Sequence, residues 1–348
     1  MRGKKILMLA LGLAFLGFAS AAMADSISPS SFSGTGPVGS TFTVAKTVTV
    51  NAGTVTTSTV DVFFLADTTG SMGGQIAAVK ASASSILASA SALSSSVSFG
   101  VGEYKDVGDT FVYRRNTDIT NVAATVQAGI NLWSASGGGD TPEANLYALQ
   151  QVATTTSWRT GSARILVWFG DAPGHDPSGP TNVTEAQATS ALQANFVKVE
   201  ALDVGALDST GQATRLAAAT GGTVSSGTST ADIVQAIKDA ITIAVTTYST
   251  VSFDFSEVPA GVLASFPGPI TGSFDRSIDR TFNFPVTFTI LADGTYAFSI
   301  YGTVDGARII PGESDSFSTG ASVPEPATLL LLGSAFVGLA ALRKKMRS

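Results

Sequence analysis

The chain has 348 residues, a formal charge of −6, no Cys, 36 Gly and only 13% charged residues. That length holds two domains with their own cores, and the missing thiols exclude a disulfide-built scaffold. Between a basic start and a basic end, residues 25–322 carry 13 Lys or Arg against 25 Asp or Glu; this excludes nucleic acid as a partner, since phosphate needs basic patches, and suits divalent cations or basic partners.

Residues 1–24 read as a secretory signal peptide. Arg2, Lys4 and Lys5 precede an apolar stretch, and Ala22-Met23-Ala24 forms a small-x-small cleavage site before Asp25. Residues 25–58 form an N-terminal β segment, with alternation at 40–44 and 47–50 between Gly-Pro and Asn-Ala-Gly punctuation. Two or three strands do not make a stable sheet alone.

From 59 to 247 the pattern changes to alternating strands and helices, the mark of a doubly wound, mostly parallel sheet, here of six strands. Strands are predicted at 60–66, 97–104, 111–115, 164–169, 197–202 and 223–225, and helices at 72–93, 122–133, 143–154, 185–195, 212–219 and 230–246. The first strand is almost wholly apolar, as a strand buried on both faces should be. It ends in Asp67-Thr68-Thr69-Gly70-Ser71. The carboxyl end of such a strand is where ligands bind in open α/β sheets, and the helix that follows adds backbone N–H groups and a positive dipole end. Asp67, Thr69 and Ser71 offer only oxygen, which hard divalent cations such as Mg2+ prefer, in near-octahedral geometry with some waters retained. Taken alone, the same residues also suit a helix cap. Two later stretches add to the pattern: Gly137-Gly138-Gly139-Asp140-Thr141-Pro142-Glu143, and a second buried strand that ends in Gly170-Asp171.

Residues 248–318 revert to an all-β pattern with Pro and Gly turns, including a hairpin-like Asp293-Gly294. Neither β segment is large, so 25–58 and 248–318 are expected to pair into one sandwich with the α/β domain inserted. Linker-like composition begins at Gly312, and 319–322 is taken as the linker. The tail, 323–348, reads Val323-Pro324-Glu325-Pro326, then a hydrophobic helix, then Arg343-Lys344-Lys345-Met346-Arg347-Ser348. It resembles the PEP-CTERM sorting signal of Gram-negative bacteria. The resemblance implies transient membrane insertion through the C-terminal helix, a basic end held in the cytoplasm, and cleavage by an exosortase-type processing enzyme. It further implies a destination at the cell surface or extracellular matrix, by way of an inner-membrane intermediate.

The three loops at Asp67, Thr141 and Asp171 together resemble the von Willebrand factor A domain and its metal-ion-dependent adhesion site, whose pattern is D-x-[ST]-x-S, a Thr on a second loop and an Asp on a third. The resemblance implies Mg2+ or Mn2+ held by Asp67, Thr69, Ser71, Thr141 and Asp171. Asp140-Thr141-Pro142-Glu143 is similar to the second loop of the integrin β-subunit I-like domain, which nominates Glu143 as a further ligand. That subtype also implies a neighbouring Ca2+ at Asp106, Asp140, the Pro142 carbonyl and Glu143. Its Asn falls at Gly138 here, so one ligand is missing. The acids of its third metal are replaced by Gly73-Gly74-Gln75, so no third site is expected.

The single His, His175, leaves no Ser-His-Asp or His-rich zinc arrangement to build. It lies on the third loop, where simple exposure is the ordinary expectation. Arg114 and Arg115 read as a solvated strand edge, and Asp203 as structural. The expectation is therefore an exported adhesion or interaction protein, not an enzyme. Its partner is a protein or polymer ligand that supplies an acidic group to the open metal position. The alternatives are a structural exopolysaccharide-matrix protein with a stabilising metal, and a metal-dependent hydrolase, for which no general base beyond the ligand carboxylates is evident.

Overall fold

A computed structural model describes residues 24–53, 59–92, 94, 96–227 and 229–319. The predicted C-terminal helix and sorting signal and, Ala24 aside, the predicted signal peptide lie outside them. No helix among the described residues is long and apolar enough to cross a membrane.

The chain begins with β1 (Ser26–Ser28), β2 (Ser31–Thr35) and β3 (Thr41–Val50). The α/β domain follows. It comprises β4 (Val60–Asp67), α1 (Gly73–Ser91), β5 (Val97–Tyr104), β6 (Tyr113–Thr120), α2 (Ala123–Asn131), α3 (Asn145–Thr155) and β7 (Ala163–Gly170). Then come α4 (Glu185–Ala194), β8 (Val197–Asp203), α5 (Gln212–Ala219), β9 (Val224–Ser226) and α6 (Thr230–Thr246). The chain returns to strands in β10 (Thr247–Asp254), β11 (Val262–Ser265), β12 (Ile270–Asp275), β13 (Arg280–Ile290), β14 (Thr295–Val304), β15 (Ala307–Arg308) and β16 (Glu313–Ser318).

The central sheet has the order β6-β5-β4-β7-β8-β9, parallel except for the antiparallel edge strand β6. Every residue of β4 is buried, because helices cover both faces. Val62, Phe64 and Ala66 face the core beneath α1 and α6, whereas Phe63 and Leu65 face the one beneath α3 and α4. One acid in this strand, Asp61, is buried at its amino end, and Arg159 neutralises it through Nε at 2.6 Å and its backbone N–H at 2.9 Å.

The edge strand runs further than the sequence predicts, through Arg-Asn-Thr-Asp-Ile-Thr to Thr120. One face of an edge strand is wet, so it needs no apolar run. Arg114 is not simply solvated there: its guanidinium caps the buried carboxylate of Glu103 at 2.7 Å. The third helix starts at Asn145 rather than at Glu143, because Glu143 N–H is spent on Pro173 C=O at 2.9 Å.

The flanking strands build two sheets, β1-β3-β13-β11 and β12-β10-β14-β16-β2. β3 and β13 pair antiparallel over ten residues, and β2 joins β16 in parallel. The strands before and after the α/β domain thus share both sheets, around a core rich in Phe. The linker-like stretch from Gly312 contains strand β16. Its inward positions are Glu313, Asp315 and Phe317, and two charges at core positions hide the strand from a hydrophobicity pattern. β10 begins where α6 ends, and Arg308 N–H bonds Gly161 C=O just ahead of β7. The sandwich therefore sits at the amino ends of the parallel strands, and their carboxyl ends face away from it.

Candidate metal centre

Asp67 ends β4 with its carboxylate fully buried. Oδ1 accepts from Thr69 N–H at 2.8 Å and Thr69 Oγ1 at 2.7 Å, while Oδ2 has no donor. The next residues make one 3-10 turn, Gly70–Met72, before α1. Met72 is buried beneath it and Ser71 is exposed. A helix cap is thus not what Asp67 forms: the helix start carries no side-chain cap hydrogen bond.

The glycine-rich loop is fastened to this turn. Gly70 N–H bonds Gly137 C=O at 3.0 Å, and Ser136 N–H bonds Thr68 C=O at 3.1 Å. Lys105, at the end of β5 and almost fully buried, gathers the carbonyls of Thr68, Ser134 and Ser136 on one ammonium. Asp109 accepts from Gly138 N–H at 2.9 Å and Asp106 N–H at 3.2 Å. Gly137 and Gly138 have φ of 75° and 76°, which side chains other than glycine rarely adopt. A Cβ at Gly138 would also lie 2.9 Å from Thr69 Cβ and 3.0 Å from Glu143 Oε1. The glycine that stands in place of the resemblance's Asn is therefore required by close packing of the first and second loops.

Glu143 is buried with Oε2 lacking a donor. Its backbone docks onto the third loop through Pro173 C=O and His175 N–H, both at 2.9 Å. Asp171, just past β7, holds Oδ1 buried and also without a donor. Gly170 keeps the approach open: a Cβ there would lie 2.6 Å from the Tyr104 hydroxyl and 3.3 Å from Asp67 Oδ2.

Asp67, Glu143 and Asp171 thus bring three donorless carboxylate oxygens to one end of the sheet. Burial pushes Asp67 up to about 6, despite the two Thr69 hydrogen bonds, and Asp171 adds to the rise. Glu143 is pushed up to about 8, by burial first and then by Asp67, Asp106, Asp109 and Asp171. Tyr104 lies below them, its hydroxyl accepting from Trp168 Nε1 at 3.0 Å and held well above its usual range by burial and by Asp67. An open cleft of about 330 Å³ leads in, lined by Thr69, Ser71, Asp140, Thr141 and Glu143. Buried acids without donors carry an energetic cost that a cation removes. The donor set, carboxylates with hydroxyls beside them, fits a hard divalent ion.

Beside this group, Asp106 and Asp140 lie together, and His175 joins them. Oxygens of Asp106 and Asp140 and a nitrogen of His175 all lie within 4.8 Å of one another. Asp106 Oδ1 is buried and 3.5 Å from His175 Nε2. Burial raises Asp106; His175 opposes this and Asp140 adds to it. Glu103 is turned away onto Arg114 and Asn116. Asp203 closes its own turn, accepting from Gly205 at 2.9 Å and Leu207 at 3.0 Å. Sequence reasoning missed Lys105 and Asp109 as fasteners of the loops. The one available signal was the place of Lys105 directly after a buried strand, with Asp109 in the loop that follows.

Residues 61–229 match the family model of the von Willebrand factor A domain, and residues 322–345 match that of the PEP-CTERM protein-sorting motif. No curated protein sequence matches the chain. Among solved structures, a von Willebrand factor type A protein from Catenulispora acidiphila is 14% identical, covering 89% of this chain and 76% of its own, at a TM-score of 0.48. The pilus adhesin SpaC from Lactobacillus rhamnosus GG is 12% identical, with 80% and 46% covered, at 0.42. Proximal thread matrix protein 1 from the mussel byssus is 16% identical, with 57% and 48% covered, at 0.44. This chain spans about half of the last two, and likenesses this distant say nothing about ligand or partner.

Proposed function

From a chain whose residues 61–229 form a von Willebrand factor A domain and whose residues 322–345 form a PEP-CTERM protein-sorting motif, we propose a metal-dependent adhesion protein of the cell surface or extracellular matrix. The sorting motif marks an exported protein with a membrane-anchored intermediate that an exosortase processes. The observation that carries the adhesion reading is that Asp67 Oδ2, Glu143 Oε2 and Asp171 Oδ1, all buried and without donors, lie at one end of the sheet, where Glu143 lines an open cleft with Thr69, Ser71, Asp140 and Thr141.

Asp67, Thr69 and Ser71 would hold Mg2+ or Mn2+ directly or through water, with Thr141 or Glu143 from the second loop and Asp171 from behind. When bound, the ion supplies an electrophilic position that an acidic oxygen of a protein or polymer partner fills. Lys105 and Asp109 hold the loops in place without entering the site. Asp106 and Asp140 belong to the neighbouring Ca2+ site of this reading, with Pro142 and Glu143, which is the integrin β I-like feature of the second loop. The titratable residues that line the cleft, Asp140 and Glu143, are both candidate ligands, which supports an interaction module over a hydrolase.

Saturable binding of the purified chain to surface protein and extracellular polymer from the producing cells tests this reading. Binding in Mg2+ should disappear with chelator and in Asp67→Ala. Binding indifferent to both would contradict it, and the absence of any saturable binding would favour a structural matrix role.

A further inference from the structure

The sandwich core holds a closed charge cluster that the metal centre does not use. Lys46 takes an inward position on β3, in the series Phe42, Val44, Lys46, Val48 and Val50. Glu313 and Asp315 take inward positions on β16, in the opposite sheet. All three side chains are fully buried. Lys46 Nζ donates to Glu313 Oε1 and lies 3.6 Å from Asp315 Oδ2. Aromatic rings close the surroundings: Phe288 stands 5.1 Å from Nζ and packs on Phe317 at 4.9 Å, which packs on Phe42 at 5.6 Å. Other buried lysines are held differently. Lys105 sits on three backbone carbonyls, and Lys198 on the carbonyls of Ala244 and Thr247 together with Asp305.

One ammonium between two carboxylates in a dry, aromatic pocket leaves a net negative charge, which is costly to bury. Burial raises both acids, Glu313 to about 7, in favour of a shared proton. A low dielectric also favours moving the lysine proton onto a carboxylate, which turns an ion pair into a neutral amine facing a neutral acid. Two such groups held in contact react as if at very high concentration, with effective molarities of roughly 10⁵ M and above for well-oriented pairs.

We propose that Lys46 and Glu313 condense into an intramolecular amide, with Asp315 carrying the proton. The Nζ lone pair attacks Cδ of the protonated Glu313 carboxyl, forming the C–N bond. Asp315 takes a proton from the nitrogen and delivers it to a hydroxyl on the same carbon. The C–O bond then breaks and one water leaves, with Asp315 restored. An amine and an acid become an amide and water, so no oxidant or further reactant is required. The amide removes two buried charges and joins two sheets across 267 residues of sequence. It ties the strand ahead of the von Willebrand factor A domain to the last described strand behind it. In a chain without Cys, this closes the same kind of long loop that a disulfide would close.

Tryptic mapping of the purified full-length chain, unfolded before digestion, tests the assignment by mass spectrometry. The expected result is one branched species joining the Lys46 and Glu313 peptides, lighter than their sum by one water, with no cleavage after Lys46. Lys46→Arg and Glu313→Ala should give no branched species. Asp315→Asn keeps the size of the pocket and should slow its appearance by ~10²-fold or more, the usual contribution of a placed acid–base group. Complete recovery of the parent as two separate peptides cleaved at Lys46 would overturn the proposal. A branch on Asp315 instead of Glu313 would overturn the assigned roles.

Discussion

Two places in this molecule bury clusters of carboxylates, and they resolve the cost in opposite ways. In the sandwich, Glu313 and Asp315 enclose Lys46, and no member of the trio reaches solvent. At the head of the α/β domain, Asp67, Glu143 and Asp171 keep oxygens without donors, although the Lys105 ammonium lies close by. That lysine is committed to the carbonyls of Thr68, Ser134 and Ser136. The first cluster also keeps donorless oxygens on Glu313 and Asp315, but it is closed and its counter-ion comes from the chain itself. The second is open, and its charge is left for something from outside. Which role a buried acid takes therefore depends on where the nearest cation is anchored and on whether a cleft reaches the site.

The largest expected effect breaks the closed cluster. Lys46→Ala removes the amine, and with it the proposed amide to Glu313, and leaves two acids buried without a partner; removing one partner of a buried pair by itself costs about 3–5 kcal/mol. Denaturant unfolding should show that loss, while Mg2+ binding by whatever folded protein remains should be unchanged. An equal loss in Asp67→Ala would erase the contrast between the two regions.

Gly138→Ala sharpens the open side. Its φ of 76° and the contacts a Cβ would make with Thr69 and Glu143 displace the second loop against the first. Mg2+ affinity should fall by ~10–100-fold, the range for groups that orient ligands, as read by calorimetry.

pH offers the next contrast. Asp67 and Glu143 have folded values raised from 3.8 to about 6 and from 4.5 to about 8. Raised acids favour the fold below their unfolded values, and that contribution is lost as pH climbs through the folded ones. Metal-free protein should therefore lose melting temperature between about pH 4 and 8. Added Mg2+ should restore most at the alkaline end, and Mg2+ affinity should weaken steadily on acidification through the same window. A flat affinity across that range would contradict the part given to these acids.

Ser71→Ala should have the smallest effect on the fold. The side chain is exposed on the 3-10 turn, and such substitutions stay within about ±0.5 kcal/mol. Thermal unfolding without metal should match the parent, with the difference appearing only in cation affinity.

The same contrast explains what the sequence disclosed. The fold class of the α/β domain was legible because strands such as β4 and β7 are continuous apolar runs that alternate with helical stretches. The residues of the three loops stand out because strand ends and a glycine-rich stretch punctuate them. Only part of the wet edge strand β6 is legible, since polar residues such as Asn116 and Asp118 carry no burial signal. Strand β16 was missed for the converse reason: Glu313 and Asp315 occupy core positions, and their partner Lys46 lies far away in sequence. Asp106 and Asp140 were paired by resemblance, but the approach of His175 Nε2 to Asp106 depends on how the third loop folds back over β5. Local pattern reports what each residue does alone; buried charge is decided by partners that only the tertiary fold supplies.

The most direct test of the central claim is calorimetric titration of Mg2+, Mn2+ and Ca2+ into the purified full-length chain and its Asp67→Ala variant. Saturable binding of Mg2+ or Mn2+ by the parent that is lost in the variant is the predicted result. Equal binding by both, or none by the parent, would contradict the claim that the open cluster is a metal centre.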